Sequence, residues 1–248
     1  MIHIEHLSKS YTATFLSAKK VVALDDINLR VDNGKTLIVS GTKNSGKSCL
    51  LKIMASMMQA DSGNVEILGY NSKKSATSIR RQTVYLSNAQ PFFDHLSIKE
   101  HLTYFATLKG IKQSEVRPRI DEYLKKWDLN SRHAISKLAI EQQMLLRLVQ
   151  AMIISPKMIF MDEPVLGLDF FTAKPVFDLI AEAKKEGIGI VYASSDLSSA
   201  EMFGDEIIFL HQGKMVHRSD LQSFSQHCGN SLNDGFIKII SEANKAAL

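Results

Sequence analysis

The sequence has little of what would staple or anchor a chain. Only two cysteines occur in 248 residues, Cys49 and Cys228. They stand far apart without metal-ligand spacing, which excludes a disulfide scaffold and suits a reducing compartment. The eight histidines never fall in H-x-x-x-H spacing, so no zinc site is expected. No apolar run approaches the ~18 residues of a membrane span. The strongest, from Ala151 to Met161, is broken by Ser155, Pro156 and Lys157. The opening residues are too polar for a secretory leader. Charge of neither sign dominates: 30 Lys+Arg against 26 Asp+Glu leave a net +4, which argues against a nucleic-acid partner. If such a chain serves a membrane, another subunit must cross it.

What is present is an alternation of strand-like and helix-like segments. Ile27, Leu29 and Val31 alternate with polar residues as a half-buried strand does, and 36–40 is a short continuous apolar strand. Leu50, Ile53, Met54 and Met57 then recur on one helical face, where Met54, Met57 and Met58 are expected to fill core gaps. The stretch 98–129 reads as amphipathic helix interrupted near Lys109-Gly110 and at Pro118, and 142–154 as a helix stopped by Ser155-Pro156. Strands are predicted over 158–161 and 188–193, with a helix over 174–186 between them and Gly187 as its C-cap. A hairpin is expected around His211-Gln212-Gly213. Lys73-Lys74 and Arg80-Arg81 read as a solvated face, and Trp127 as packing for a helical insert.

One loop carries recognisable chemistry. Gly41-Thr42-Lys43-Asn44-Ser45-Gly46-Lys47-Ser48 follows the strand and opens the helix, in the spacing G-x-x-x-x-G-K-[ST]. Small residues let backbone N–H groups close around a phosphate at the positive end of a helix. Lys47 can neutralise β- and γ-phosphates, and the Ser48 hydroxyl can ligate Mg²⁺. Such a loop needs a carboxylate partner, and the apolar strand 158–161 delivers Asp162 and Glu163 at its end. Asp162 would hold Mg²⁺, and Glu163 would orient or deprotonate an attacking water as the catalytic residue.

With both motifs placed, the chain resembles the ATP-binding subunit of an ABC transporter over nearly its full length. Leu7-Ser8-Lys9-Ser10-Tyr11 puts Tyr11 where the family stacks an aromatic ring on adenine. Asp162-Glu163-Pro164 with Gly167-Leu168-Asp169 resembles the Walker B and D-loop run, and Gly204-Asp205-Glu206-Ile207 and Gln212-Gly213-Lys214 resemble the closing core strands. Residues 96–111 are similar to the helical subdomain of ATPases that serve ABC-2-type exporters. The resemblance implies an α/β fold, a P-loop NTPase core of mixed sheet flanked by helices, with a helical subdomain inserted. It implies a single domain over 1–248, with core about 1–89 and 146–248 and subdomain about 90–145. ATP and Mg²⁺ are the implied cofactors, held by Tyr11, the loop from Gly41 to Ser48, the adjoining Cys49, Asn88 and Ser195.

Several family positions are altered. Asn44 stands for a common glycine, a mild change because Asn tolerates left-handed φ. The Q-loop glutamine, which senses Mg²⁺ and the membrane subunit, maps to Asn88, with Gln90 two residues on as the other candidate. The Leu-Ser-Gly-Gly-Gln signature maps to Leu138-Ala139-Ile140-Glu141-Gln142. That segment lacks the serine hydroxyl and adds an anion where phosphate would approach. The switch histidine maps to Ser195, which can donate one hydrogen bond but carries no charge. In the family, each ATP lies between one subunit's phosphate loop and the other's signature. The expectation is therefore an ATP-binding subunit with weak hydrolysis at the cytoplasmic face of a membrane. It would be held there by a membrane subunit and paired with a second ABC ATPase rather than with its own copy. The alternative is a regulatory or structural subunit with negligible turnover.

Overall fold

The computed structural model describes residues 1–14, 17–88, 91–93, 95–229 and 231–246. Two long antiparallel strands come first, β1 (Ile2–Thr14) and β2 (Ser17–Val31). β3 (Thr36–Gly41) is buried at every residue and leads into α1 (Lys47–Met54). β4 (Ser62–Ile67) returns to pair with β1, and the short β5 (Tyr70–Asn71) completes an antiparallel sheet of order β2-β1-β4-β5. After α2 (Ala76–Gln82) and β6 (Thr83–Ser87), three α-helices among the described residues precede the next strand: α3 (Ile98–Leu108), α4 (Gln113–Lys126) and α5 (Ile140–Met152). Then follow β7 (Met158–Asp162), α6 (Phe170–Lys185), β8 (Gly189–Ala193), β9 (Glu206–His211), β10 (Lys214–Asp220), α7 (Leu221–His227) and α8 (Leu232–Ala246).

The second sheet is mixed, in the order β10-β9-β3-β8-β7-β6, with only β10 antiparallel to its neighbour. Its apolar runs are continuous because both faces are covered. The two-residue period sends Ile38, Ile190, Tyr192 and Met161 into one core with α3, α4, α5 and α6. Leu37, Val39, Val191 and Phe160 go into the other, shared with α1 and the antiparallel sheet. The parallel register aligns Ser87 with Asp162 and Asp162 with Ala193. The carboxyl ends of β3, β6, β7 and β8 therefore lie along one edge, where open α/β sheets bind ligands.

Three local expectations change. Pro118 does not interrupt α4, which runs through it; the buried stripe Val116, Ile120, Tyr123 and Leu124 holds the helix despite the missing N–H. Met57 is 54% exposed rather than core, because α1 ends at Met54 and the last step of its apolar period falls outside the helix. α6 begins at Phe170, four residues before the predicted start, where the Asp169 carboxylate accepts from the N–H groups of Phe171 and Thr172.

Candidate functional site

The phosphate loop is shaped by two close approaches. A Cβ on Gly41 would lie 2.3 Å from the Leu210 carbonyl oxygen, and one on Gly46 would lie 2.4 Å from that of Ala23. Gly46 also sits at φ 106°, a region closed to other residues, while Asn44 takes φ 63°. Ser45 N–H donates to the Thr42 carbonyl at 3.1 Å, closing the turn, and the Ser45 carbonyl accepts from Gly213 N–H at 3.2 Å. Thr42 Oγ1 is 3.5 Å from His211 Nδ1, and Lys43 points to solvent. The Ser45 hydroxyl is buried without a hydrogen-bond partner among the described residues. Such a cradle, which no Cβ could share, fits a phosphate chain.

Lys47 occupies the first turn of α1 and folds back over the loop. Its ammonium donates to the carbonyls of Gly41 at 2.7 Å and Thr42 at 3.2 Å, and lies 3.8 Å from the Glu163 carboxylate. Burial lowers its pKa, opposed by the negative charges of Glu163 and Asp162. Next to it, Ser48 Oγ donates to Asp162 Oδ1 at 3.0 Å. A hydroxyl and a carboxylate in contact make a hard-oxygen pair suited to Mg²⁺. No group of three or more His, Cys, Asp or Glu able to hold a metal occurs among the described residues.

Asp162, 7% exposed at the end of β7, also accepts at Oδ2 from the Tyr85 hydroxyl at 2.8 Å. Sequence reasoning passed over Tyr85. Its signal is a polar tip inside an apolar strand, and it acquires meaning only through the register. Ser87, two residues along β6 on the same face, pairs with Asp162, so Tyr85 is its diagonal neighbour.

Glu163 follows at φ 50°, left-handed for a residue with a side chain. Its N–H donates to the Ala193 carbonyl at 2.9 Å and its own carbonyl accepts from Asn88 Nδ2 at 3.0 Å. Glu163 Oε2 accepts from Ser195 N–H at 3.1 Å and from Ser195 Oγ at 3.3 Å. Asn88 and Ser195 both rest on Glu163, one on its main-chain carbonyl and the other on its carboxylate. Gln90 lies outside the described residues. The Tyr11 hydroxyl is 3.3 Å from Cys49 Sγ and 2.8 Å from Met58 Sδ, so its ring stands beside the start of α1. Burial raises the pKa of Cys49, which keeps it a thiol. The segment mapped to the signature opens α5: Ala139 provides no side-chain cap, Ile140 is 59% exposed, and Glu141 stands in the first turn.

Known proteins resemble this chain in sequence and fold. A family model described as ABC transporter matches residues 24–166, more than half of the chain. The ABC transporter ATP-binding protein NatA of Bacillus subtilis is 25% identical over 213 residues, spanning 84% of this chain and 87% of its own. The doxorubicin resistance ATP-binding protein DrrA of Mycobacterium tuberculosis is 26% identical over 223 residues, or 89% of this chain, which spans 66% of that protein. A solved ATP-binding subunit of an ABC transporter superposes with a TM-score of 0.83 at 25% identity, covering 97% of this chain and 99% of that one. The dimeric ATP-binding cassette MJ0796, solved bound to ADP and Pi, shares the fold at a TM-score of 0.79, covering 89% of this chain and 99% of its own, with 24% identity. The chain therefore belongs to the ABC transporter family, as an ATP-binding subunit whose cofactor is Mg²⁺-ATP.

Proposed function

We propose that this subunit binds Mg²⁺-ATP tightly, hydrolyses it slowly, and acts in a heterodimer with a second ABC ATPase. Subunits of this family partner with membrane components, and no helix among the described residues is long and apolar enough to cross a membrane. A separate membrane subunit would therefore hold this one at the cytoplasmic face. Helices α3 and α4 with the start of α5 fall within about 90–145 and would form the subdomain set against it, and the segments about 1–89 and 146–248 the nucleotide core.

The observation that carries the slow-turnover reading is the environment of Glu163. Its carboxylate is held by a serine that cannot carry charge, 3.8 Å from a lysine that phosphate would otherwise engage. Tyr11 and Cys49 would border the adenine. Gly41, Thr42, Lys43, Asn44, Ser45, Gly46 and Lys47 would wrap the phosphates. Ser48 and Asp162 would meet Mg²⁺. Glu163 would be the base, supported but not completed by Asn88 and Ser195. The test is steady-state ATPase of the purified protein, and of a Ser195→His, Asn88→Gln double variant. Slow turnover in the first and a rise in the second are expected. Robust turnover by the wild-type homodimer would refute the proposal.

The same contact favours a second reading, a regulatory subunit with negligible turnover. ATP binding without hydrolysis, both alone and in the native complex, would select it.

A further inference from the structure

We propose that Tyr85 is a positioning residue for Mg²⁺, fixing which edge of the Asp162 carboxylate meets the cation. This rests on the reading of Asp162 as the carboxylate of the Mg²⁺ site. Both residues are nearly sealed from water, Tyr85 at 9% and Asp162 at 7% exposure. The Tyr85 hydroxyl donates to Oδ2 at 2.8 Å while Ser48 Oγ donates to Oδ1 at 3.0 Å. A carboxylate held at one oxygen alone can still turn about its Cβ–Cγ bond. Held at both, it cannot, and the Oδ1 edge stays turned toward Ser48 and the phosphate loop.

The phenol suits the task in reach and in charge. Tyr85 and Asp162 lie on adjacent parallel strands, diagonal to one another, so a side chain of that length spans the gap from a buried backbone. Ser87 also hydrogen-bonds the phenol, adding a second restraint on its orientation. The phenol is a neutral donor, so it holds Oδ2 without bringing a positive charge to compete with Mg²⁺. With a cation bound, Ser48 and Asp162 would be the groups that hold it, and Tyr85 would stay bonded to Oδ2. The carboxylate is then organised before the ion binds, which is how supporting hydrogen bonds act at other metal sites.

The test separates metal-dependent from metal-independent binding by calorimetry. ATP affinity is measured in excess Mg²⁺ and in EDTA for the wild type, Tyr85→Phe and Tyr85→Met. Tyr85→Phe is expected to leave the EDTA affinity within twofold and to cut the Mg²⁺ enhancement about three- to tenfold, the scale of one hydrogen bond. Tyr85→Met, which removes the ring as well, should show the same loss of enhancement. An unchanged enhancement in Tyr85→Phe would overturn the proposal. So would equal losses with and without Mg²⁺, the mark of a merely structural residue, or a loss confined to Tyr85→Met. Asp162→Asn separates the two levels. If it keeps the Mg²⁺ enhancement, the assignment of Asp162 fails and takes the Tyr85 role with it. If it loses the enhancement while Tyr85→Phe retains it, only the Tyr85 role falls.

Discussion

At the scale of single residues the site divides into groups that touch phosphate and groups that steer Glu163. Lys47 belongs to the first. Replacing it with alanine deletes a charge-assisted hydrogen bond of about 1.5–3 kcal/mol. ATP affinity should fall at least tenfold by calorimetry in protein shown to be folded; an unchanged affinity would contradict the loop's role. Glu163 leads the second group. A positioned base contributes about 10²- to 10⁴-fold, so Glu163→Gln should cut residual turnover by about 10² or more. ATP affinity should meanwhile hold within about threefold, since Lys47, 3.8 Å from the lost charge, keeps its bonds to the Gly41 and Thr42 carbonyls; a parallel collapse of affinity would count against it. The loop was legible in the sequence because its residues are consecutive and its chemistry fixes their spacing. Tyr85 and Asp162 are 77 residues apart and meet only through strand register, so no motif could pair them. Asn88 and Ser195 could be located but not aimed, since their shared contact depends on the left-handed turn at Glu163.

At the scale of elements, stability rests on ends as much as on faces. α3 opens with a reciprocal cap: Glu100 Oε2 accepts from Ser97 N–H at 2.8 Å, and Ser97 Oγ accepts from Glu100 N–H at 3.3 Å. Ser97→Ala should cost about 1 kcal/mol in denaturant unfolding, with ATP affinity unmoved. In α4 the sign reverses. Pro118 interrupts a hydrogen-bond ladder that the rest of the helix maintains, and Pro118→Ala restores a donor where the backbone is already helical. A gain in stability of up to about 3 kcal/mol is expected, read as a raised midpoint; a loss would show that proline's stiffening of the unfolded chain dominates. Buried strands and long amphipathic helices were legible because their periods are strong. The start of α6 was not, because Phe170 is 56% and Phe171 86% exposed, so its first turn adds nothing to the apolar stripe. Of the antiparallel sheet only the end of β2, from Ile27 to Val31, was legible, and β1 went unread for a related reason. β1 carries register shifts near His6, which break its two-residue alternation.

At the scale of the whole molecule, the proposed departures from the family pattern would act on two different ATP sites. Ala139-Ile140-Glu141 would face a partner's phosphate loop, whereas Asn88 and Ser195 sit beside this chain's own. In a heterodimer the site built on this chain's loop should hold ATP and turn it over slowly, leaving most hydrolysis to the other site. Changing the partner's catalytic glutamate to glutamine should then reduce activity of the co-purified complex more than Glu163→Gln does. Equal losses would remove the asymmetry, and a native complex holding two copies of this chain without a second ATPase would remove the heterodimer. The pairing of Ser45 with Gly213 has a different consequence, one of timing. The turn after β9 bonds the phosphate loop, and the Gly213 carbonyl in turn accepts from Asp25 N–H at 2.9 Å. β3 is itself flanked by β8 and β9, which lie more than half the chain downstream. During synthesis, the growing polypeptide carries its complete loop sequence well before the strands that brace it. A fragment stopping at Met202 would contain every loop residue and both carboxylates, and should still bind no nucleotide. In that order the loop would gain nucleotide only after β9 and β10 dock, so a product truncated before them would not compete for ATP.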